Sequence, residues 1–281
     1  MSPPRRFVVG FGLLLVTNVM NSLSASVIAS ASQPFLDTMR QAGITSGTDK
    51  IHRHRYDQVY GRALAPFAKA DAFAMLEIGY GSGEGVAFWH TLFPQTFLYC
   101  LDSGYGDWTE ANTCVLRVDQ SKPQDLERAM ATVQHPIALI VDDGSHRPDH
   151  QLLSFSMLFK QLLQPGGLYI IEDVETSYWR RGHLYGYNYS YGLGNRHSAV
   201  EAFKLLVDFV NQRFLDPADR NWLIASLLDV GLDPEAAEMV ESVSFGRNAI
   251  QLVKRVAPPL ETDLNGYTFC ELSSRDSPPK S

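Results

Sequence analysis

The sequence predicts an α/β protein with a mostly parallel central sheet, helices on both faces and a C-terminal hairpin. Three observations carry this expectation. Apolar runs at 74–79, 96–102, 115–119, 136–141 and 168–171 lack the polar alternation of half-exposed strands, so both of their faces are covered, as in parallel sheets. The stretches between them carry apolar residues at helical spacing. Acids recur at or near the ends of these runs, at Glu77, Asp102, Asp119, Asp142, Asp143, Glu172 and Asp173. In open parallel sheets ligands bind beyond the carboxyl ends of the strands.

In chain order, Arg5 and Arg6 precede an apolar run over 7–16, followed by small polar residues and Ala29-Ser30-Ala31. A charged start, an apolar stretch shorter than the roughly 20 residues of a membrane span and an Ala-x-Ala site predict a signal peptide over 1–31. A retained signal anchor, which would hold the chain on a membrane, is the second reading and an organelle transit peptide the third. Passage through the secretory pathway is the expected location, and the sequon Asn188-Tyr189-Ser190 is compatible with it. The globular part is expected over 32–256. Residues 257–281 hold four prolines and few apolar side chains and are expected to form a flexible tail.

Residues 46–50 read as turn-rich and 55–68 as a helix, with Tyr56, Val59, Tyr60, Leu64 and Phe67 on one face and Pro66 ending or kinking it. The first strand runs into Glu77-x-Gly79-x-Gly81-x-Gly83, ahead of a helix over 84–92. Glycines there permit a tight turn and close approach of the backbone to a ligand, although any strand–helix turn uses them. Glu77 departs from a dinucleotide fingerprint: a pyrophosphate gains nothing from a neighbouring carboxylate, whereas a cationic cofactor tolerates one.

Asp102 ends the second strand, where an acid either accepts bonds from ribose hydroxyls or serves as a turn or cap residue. The third strand ends at Asp119, and Ser121 is the expected cap of a helix with Pro123 in its first turn. The fourth strand leads into Asp142, Asp143 and His146. A helix over about 149–163 is stopped by Gln164-Pro165-Gly166-Gly167, and the fifth strand precedes Glu172 and Asp173. Tyrosines alternate at 185, 187, 189 and 191, and glycines at 182, 186, 192 and 194 favour a lid over a regular edge strand. Helices at about 198–213 and 218–230 and a hairpin of 239–245 with 249–254, turning near Gly246-Arg247-Asn248, complete the chain.

With 281 residues the chain can bury a sizeable core, and its formal charge of -7 argues against a general nucleic-acid binder. Cys100, Cys114 and Cys270 have neither metal-site spacing nor the density of a disulfide framework, and are read as free.

Gly47-Thr-Asp-Lys50, Leu76-Glu-Ile-Gly79, Asp119-Gln-Ser121, Val141-Asp-Asp-Gly-Ser-His146, Pro165-Gly-Gly167 and Ile171-Glu-Asp173 with Thr176-Ser-Tyr-Trp179 occur in one order. Over about 45–255 the chain resembles the class I S-adenosylmethionine-dependent O-methyltransferases of the macrolide-sugar type, related to mycinamicin methyltransferases and the cephalosporin-hydroxylase-like group. The resemblance implies a Rossmann-like methyltransferase fold and S-adenosyl-L-methionine as cofactor. It also implies Mg²⁺ held by Asp143, Glu172 and Asp173, with His146 as base. Glu77, Gly79 and Gly81 would contact the cofactor's methionine end, Asp102 its ribose, and Asp119 and Gln120 its adenine. Asp142 is grouped with these cofactor residues, since Asp143 lies three residues before His146 and a single turn can present both. His150 reads as a structural hydrogen-bonder.

The chemistry of the residues agrees with what the resemblance implies. Three carboxylates form an all-oxygen set, which suits a hard cation rather than zinc. A neutral hydroxyl is a poor nucleophile; a metal can lower a bound water's pKa from about 15.7 to about 7, and an alcohol responds in the same direction. An imidazole, with an ordinary pKa of about 6.5, can then take the proton. The expected acceptor is a small hydroxylated molecule such as a sugar. A non-catalytic cofactor binder and a nicotinamide oxidoreductase are the alternatives that share this architecture.

Overall fold

The structure, a computed structural model, describes residues 33–184 and 187–256; the expected leader and tail lie outside the described residues. These residues form two compact units that divide after Lys69. In the first, helices α1 (Gln33–Ser46), α2 (Asp49–His52) and α3 (Asp57–Ala63) pack on Met39, Ile51, Tyr56 and Tyr60. The turn-rich segment at 46–50 in fact leads into α2, with Thr48 as its cap. The helix expected over 55–68 stops at Ala63, and a 3₁₀ turn over Phe67–Lys69 follows, as Pro66 requires.

The second unit holds an eight-stranded sheet. Its strands are β1 (Ala74–Ile78), β2 (Phe97–Asp102), β3 (Trp108–Glu110), β4 (Thr113–Arg117), β5 (Ile137–Asp142), β6 (Leu163–Glu172), then β9 (Val240–Gly246) and β10 (Ala249–Lys254). The order across the sheet is β3-β4-β2-β1-β5-β6-β10-β9. The five central strands, from β4 to β6, are parallel; β3 and β10 run antiparallel to them, and β9 pairs antiparallel with β10 at the edge. Every residue of β1 and β5 is buried, so both faces of the sheet are covered. Between the strands lie α4 (Glu84–Leu92), α5 (Pro123–Thr132) and α6 (Pro148–Ser154), and after them α7 (Ala199–Phe209), α8 (Pro217–Val230) and α9 (Pro234–Glu238). Among the described residues no helix is long and apolar enough to cross a membrane.

Several boundaries differ from the sequence reading for local reasons. The third strand ends at Arg117 rather than Asp119, and Ser121 does not cap α5, because its hydroxyl donates to Asp119 Oδ1 at 2.6 Å instead. The helix expected to reach 163 is helical to Gln161, but widens into a π turn over Phe155–Phe159 inside it. Beyond that turn the Lys254 ammonium donates to the carbonyls of Phe159, Lys160 and Leu163 at 2.8, 2.9 and 2.7 Å, capping chain ends that α geometry leaves open. Gln164-Pro165-Gly166-Gly167 is a bulge inside β6 rather than a stop: Leu163 pairs with Ile137, and pairing resumes at Leu168 opposite Leu139. In the tyrosine-rich segment β7 (Gly182–Leu184) pairs antiparallel with β8 (Tyr187–Tyr189), strands which the glycines there argue against; Tyr185 and Gly186 lie outside the described residues.

Candidate functional site

The strand order reverses at β1, whose neighbours are β2 on one side and β5 on the other. A crevice opens beyond the carboxyl ends at such a switch point. Here the chain turns are welded together by backbone bonds: Gly79 N–H donates to Leu101 O at 2.8 Å and Asp143 N–H to Ile78 O at 3.0 Å. Gly79 has φ +98°, and a Cβ on it would overlap the Asp143 carbonyl oxygen, so only glycine fits where the two loops touch.

A cavity of about 220 Å³ lies at this point, lined by Gly79, Asp102, Asp119, Gln120, Ser145 and His150, among others. Asp102 holds the loops that shape it. Its Oδ2 accepts from Tyr80 N–H at 2.8 Å and its Oδ1 from Gly104 N–H at 2.7 Å. Asp102 therefore organises a turn and also lines the cavity. Asp119 accepts from Ser121 and from the Lys122 ammonium, at 2.9 Å for the latter, and these bonds, Ser121 first, hold its carboxyl down at about 2.

Gln120 is fixed at both ends of its amide. Its nitrogen donates to both Asp142 oxygens at 2.8 and 3.0 Å, and its oxygen accepts from Ser145 N–H at 3.0 Å. Asp142 is fully buried, and desolvation pushes its carboxyl up to about 7 against the bonds from Gln120 and Tyr169. It does not line the cavity; it acts through Gln120. Glu77 is also absent from the cavity wall: it is buried, with its Oε1 accepting from the Trp89 indole at 2.9 Å. Gly81 likewise lies in the glycine turn, outside the lining residues, with its N–H 3.4 Å from Asp102 Oδ2.

Gly144 and Ser145, both in the cavity wall, separate Asp143 from His146 in the chain. Asp143, His146 and Asp173 each present a potential ligand atom, and these atoms all lie within 4.8 Å of one another. His146 and Asp173 are buried, with His146 Nε2 3.7 Å from Asp173 Oδ2. Both sit in left-handed backbone, at φ +56° and +52°. The reversal at His146 is held by Thr176 Oγ1, which donates to the His146 carbonyl at 2.8 Å. Glu172, the residue before Asp173, is buried at the end of β6 and is not one of the three; its carbonyl accepts from Gln151 Nε2 at 3.0 Å. The donor set is two carboxylates and an imidazole, with a buried carboxylate next in the chain; the carboxylates fit a hard divalent cation, whereas the imidazole as a ligand fits a transition metal as well.

Two contributors were not singled out from the sequence. His150 was read as structural, and its Nδ1 does lie 2.7 Å from Ser145 Oγ, yet the ring also forms part of the cavity wall. The i, i+5 spacing of Ser145 and His150 across the start of α6 is the signal that could have found it. Asn248, in the turn between β9 and β10, donates from Nδ2 to Asp173 Oδ1 at 2.9 Å. Beside the site, the Tyr189 hydroxyl donates to Ser145 O at 3.0 Å, tying the β7–β8 hairpin to the cavity loop.

No family model matches the chain. It is similar to an 8-demethyl-8-α-L-rhamnosyl tetracenomycin-C 2'-O-methyltransferase of Streptomyces olivaceus, 33% identical over 161 residues, which cover 54% of this chain and 42% of that protein. It is also similar to an L-olivosyl-oleandolide 3-O-methyltransferase of Streptomyces antibioticus, 35% identical over 135 residues, covering 45% and 34%. A mycinamicin VI 2''-O-methyltransferase of Micromonospora griseorubida is 35% identical over 113 residues, covering 37% and 28%. The match spans less than half the length of each of these relatives. Among solved structures, the MycE methyltransferase of the mycinamycin biosynthetic pathway, in complex with Mg and SAH, superposes with a TM-score of 0.64 at 23% identity, over 85% of this chain and 60% of that one. The second unit's sheet has the Rossmann-like methyltransferase fold.

Proposed function

We propose that the chain is an S-adenosylmethionine- and metal-dependent O-methyltransferase acting on a hydroxyl of a sugar carried by a small molecule. The observation that carries this reading is the continuity of the Asp143–His146 loop. Its middle residues line the cavity at the switch point, while its ends join Asp173 in an acidic cluster. The sugar O-methyltransferases to which the chain is similar support the same reading.

In this reading the cofactor occupies the cavity, with Asp102 facing its ribose and Asp119 and Gln120 its adenine. The Asp142–Gln120–Ser145 bonds hold that wall rigid before the cofactor arrives, which lowers the ordering cost of binding. Asp143 and Asp173 would hold Mg²⁺ together with Glu172, and the ion would polarise the acceptor hydroxyl as a Lewis acid. His146 takes the hydroxyl proton. The oxygen lone pair forms the new bond to the methyl carbon as the carbon–sulfur bond breaks, and sulfur leaves as the thioether of S-adenosylhomocysteine. The remaining task of the chain is alignment of oxygen, methyl and sulfur.

The test is incubation of the full chain with S-adenosylmethionine, Mg²⁺ and a panel of rhamnosyl and olivosyl glycosides, read by mass spectrometry. Mg²⁺-dependent gain of one methyl is expected. Absence of S-adenosylhomocysteine binding, or transfer that survives both EDTA and Asp143→Ala, would contradict the proposal.

A further inference from the structure

The C-terminal hairpin reaches the site by topology. Because β10 runs antiparallel to β6, its first residue, Ala249, pairs with the last residue of β6, Glu172. The turn residues before Ala249 are therefore delivered to the carboxyl end of β6, where Asp173 sits, 75 residues away in sequence. Asn248 is in left-handed backbone at φ +57°, which asparagine tolerates better than most side chains.

Its amide is used at both ends. Nδ2 donates to Asp173 Oδ1 at 2.9 Å, and Oδ1 accepts from Glu175 N–H at 2.9 Å. The Asn248 carbonyl accepts in turn from Val174 N–H at 3.4 Å. Three bonds from one residue thus hold the segment that follows β6. Asp173 is itself in left-handed backbone, a conformation that persists only where its surroundings impose it. The bond from Asn248 occupies one carboxylate oxygen; the other, Oδ2, is the one that faces His146 at 3.7 Å.

We infer that Asn248 is a positioning residue for the metal site. It fixes the rotation of the Asp173 carboxylate so that Oδ2 is presented to the cluster with Asp143 and His146. The inference rests on the proposed metal dependence. It extends that reading by making the site depend on the C-terminal hairpin as well as on the parallel strands. Partners that orient ligating groups typically contribute about 10- to 100-fold to metal affinity.

The experiment is Mn²⁺ titration of the full chain, followed by electron paramagnetic resonance, on wild type, Asn248→Gly, Asp173→Ala and the double variant. Glycine adopts left-handed φ at no steric cost, so Asn248→Gly keeps the turn and removes only the side chain. Its melting temperature should stay within a few degrees of wild type. Mn²⁺ affinity should fall about ten-fold in Asn248→Gly, and the double variant should bind no more weakly than Asp173→Ala alone. Wild-type affinity in Asn248→Gly overturns the inference, as does an equal ten-fold loss in the Asp173→Ala background, which would mean that Asn248 acts by another route. Wild type that binds no Mn²⁺ contradicts the metal reading itself, a separate outcome.

Discussion

The two halves of the site reverse the chain at strand ends in opposite ways. On the side proposed for the cofactor, the turn after β1 uses Gly79, Gly81 and Gly83 at φ +98°, +55° and +94°. On the acidic side, the reversals fall on His146, Asp173 and Asn248, at φ +56°, +52° and +57°. Glycine makes such turns without strain and leaves bare backbone for a ligand to approach. The acidic side cannot use it, because the residue at the reversal must also present a side chain. It accepts non-glycine residues in left-handed backbone, at a cost on the order of 1 kcal/mol each, and holds them with Thr176 and Asn248. In the proposed function one half binds the cofactor and the other places the reacting groups.

This division predicts separable losses. The largest belongs to the acidic half: Asp143→Ala should cut methyl transfer by about a thousand-fold or more, measured as turnover by mass spectrometry. His146→Gln should cost about a hundred-fold in turnover while leaving Mn²⁺ and cofactor binding in place, as expected for a lost base. Gly79→Ala sharpens the comparison by striking the point where the halves touch. Its Cβ meets the Asp143 carbonyl, so it should destabilise the fold by about 2–4 kcal/mol in urea unfolding and weaken both ligands together.

A smaller effect is expected in the cofactor half. Asp102→Ala removes the loop-holding bonds from Tyr80, Gly81 and Gly104 and should weaken S-adenosylhomocysteine about ten-fold by calorimetry, with Mn²⁺ affinity unchanged. The smallest is a pH effect at Asp119. Its carboxyl is held at about 2, below the usual 3.8, so its stabilising bonds are fully present above about pH 4 and are lost as pH falls through about 2. The stability difference between wild type and Asp119→Asn should therefore shrink across that window in acid-dependent thermal melts. The carboxylate is partly exposed, so the change is slight.

The same contrast explains what the sequence could say. The parallel sheet was legible because β1 and β5 are buried at every position and read as unbroken apolar runs. The glycine turn was legible because left-handed backbone writes glycine into the chain. The strand-end acids were legible as a set, but their division was not. Burial of Asp142 behind Gln120, in the loop after β4, and of Glu77 against Trp89 of α4 depends on packing between elements rather than on local pattern. The π turn at Phe155–Phe159 within the expected helix, and the bulge in β6, were not legible, because tertiary partners such as Lys254 satisfy backbone groups that local propensity leaves open. Asn248 could be read only as a turn residue, since its contact with Asp173 exists only once β10 pairs with β6.

The division of the site is tested most directly by crossed titrations on two single variants, Asp143→Ala and Asp102→Ala. Each is titrated with Mn²⁺ and, separately, with S-adenosylhomocysteine. The predicted result is reciprocal: Asp143→Ala loses Mn²⁺ and keeps S-adenosylhomocysteine within about two-fold, whereas Asp102→Ala weakens S-adenosylhomocysteine about ten-fold and keeps Mn²⁺. Loss of both ligands in either variant, with the fold intact by circular dichroism, would contradict the account.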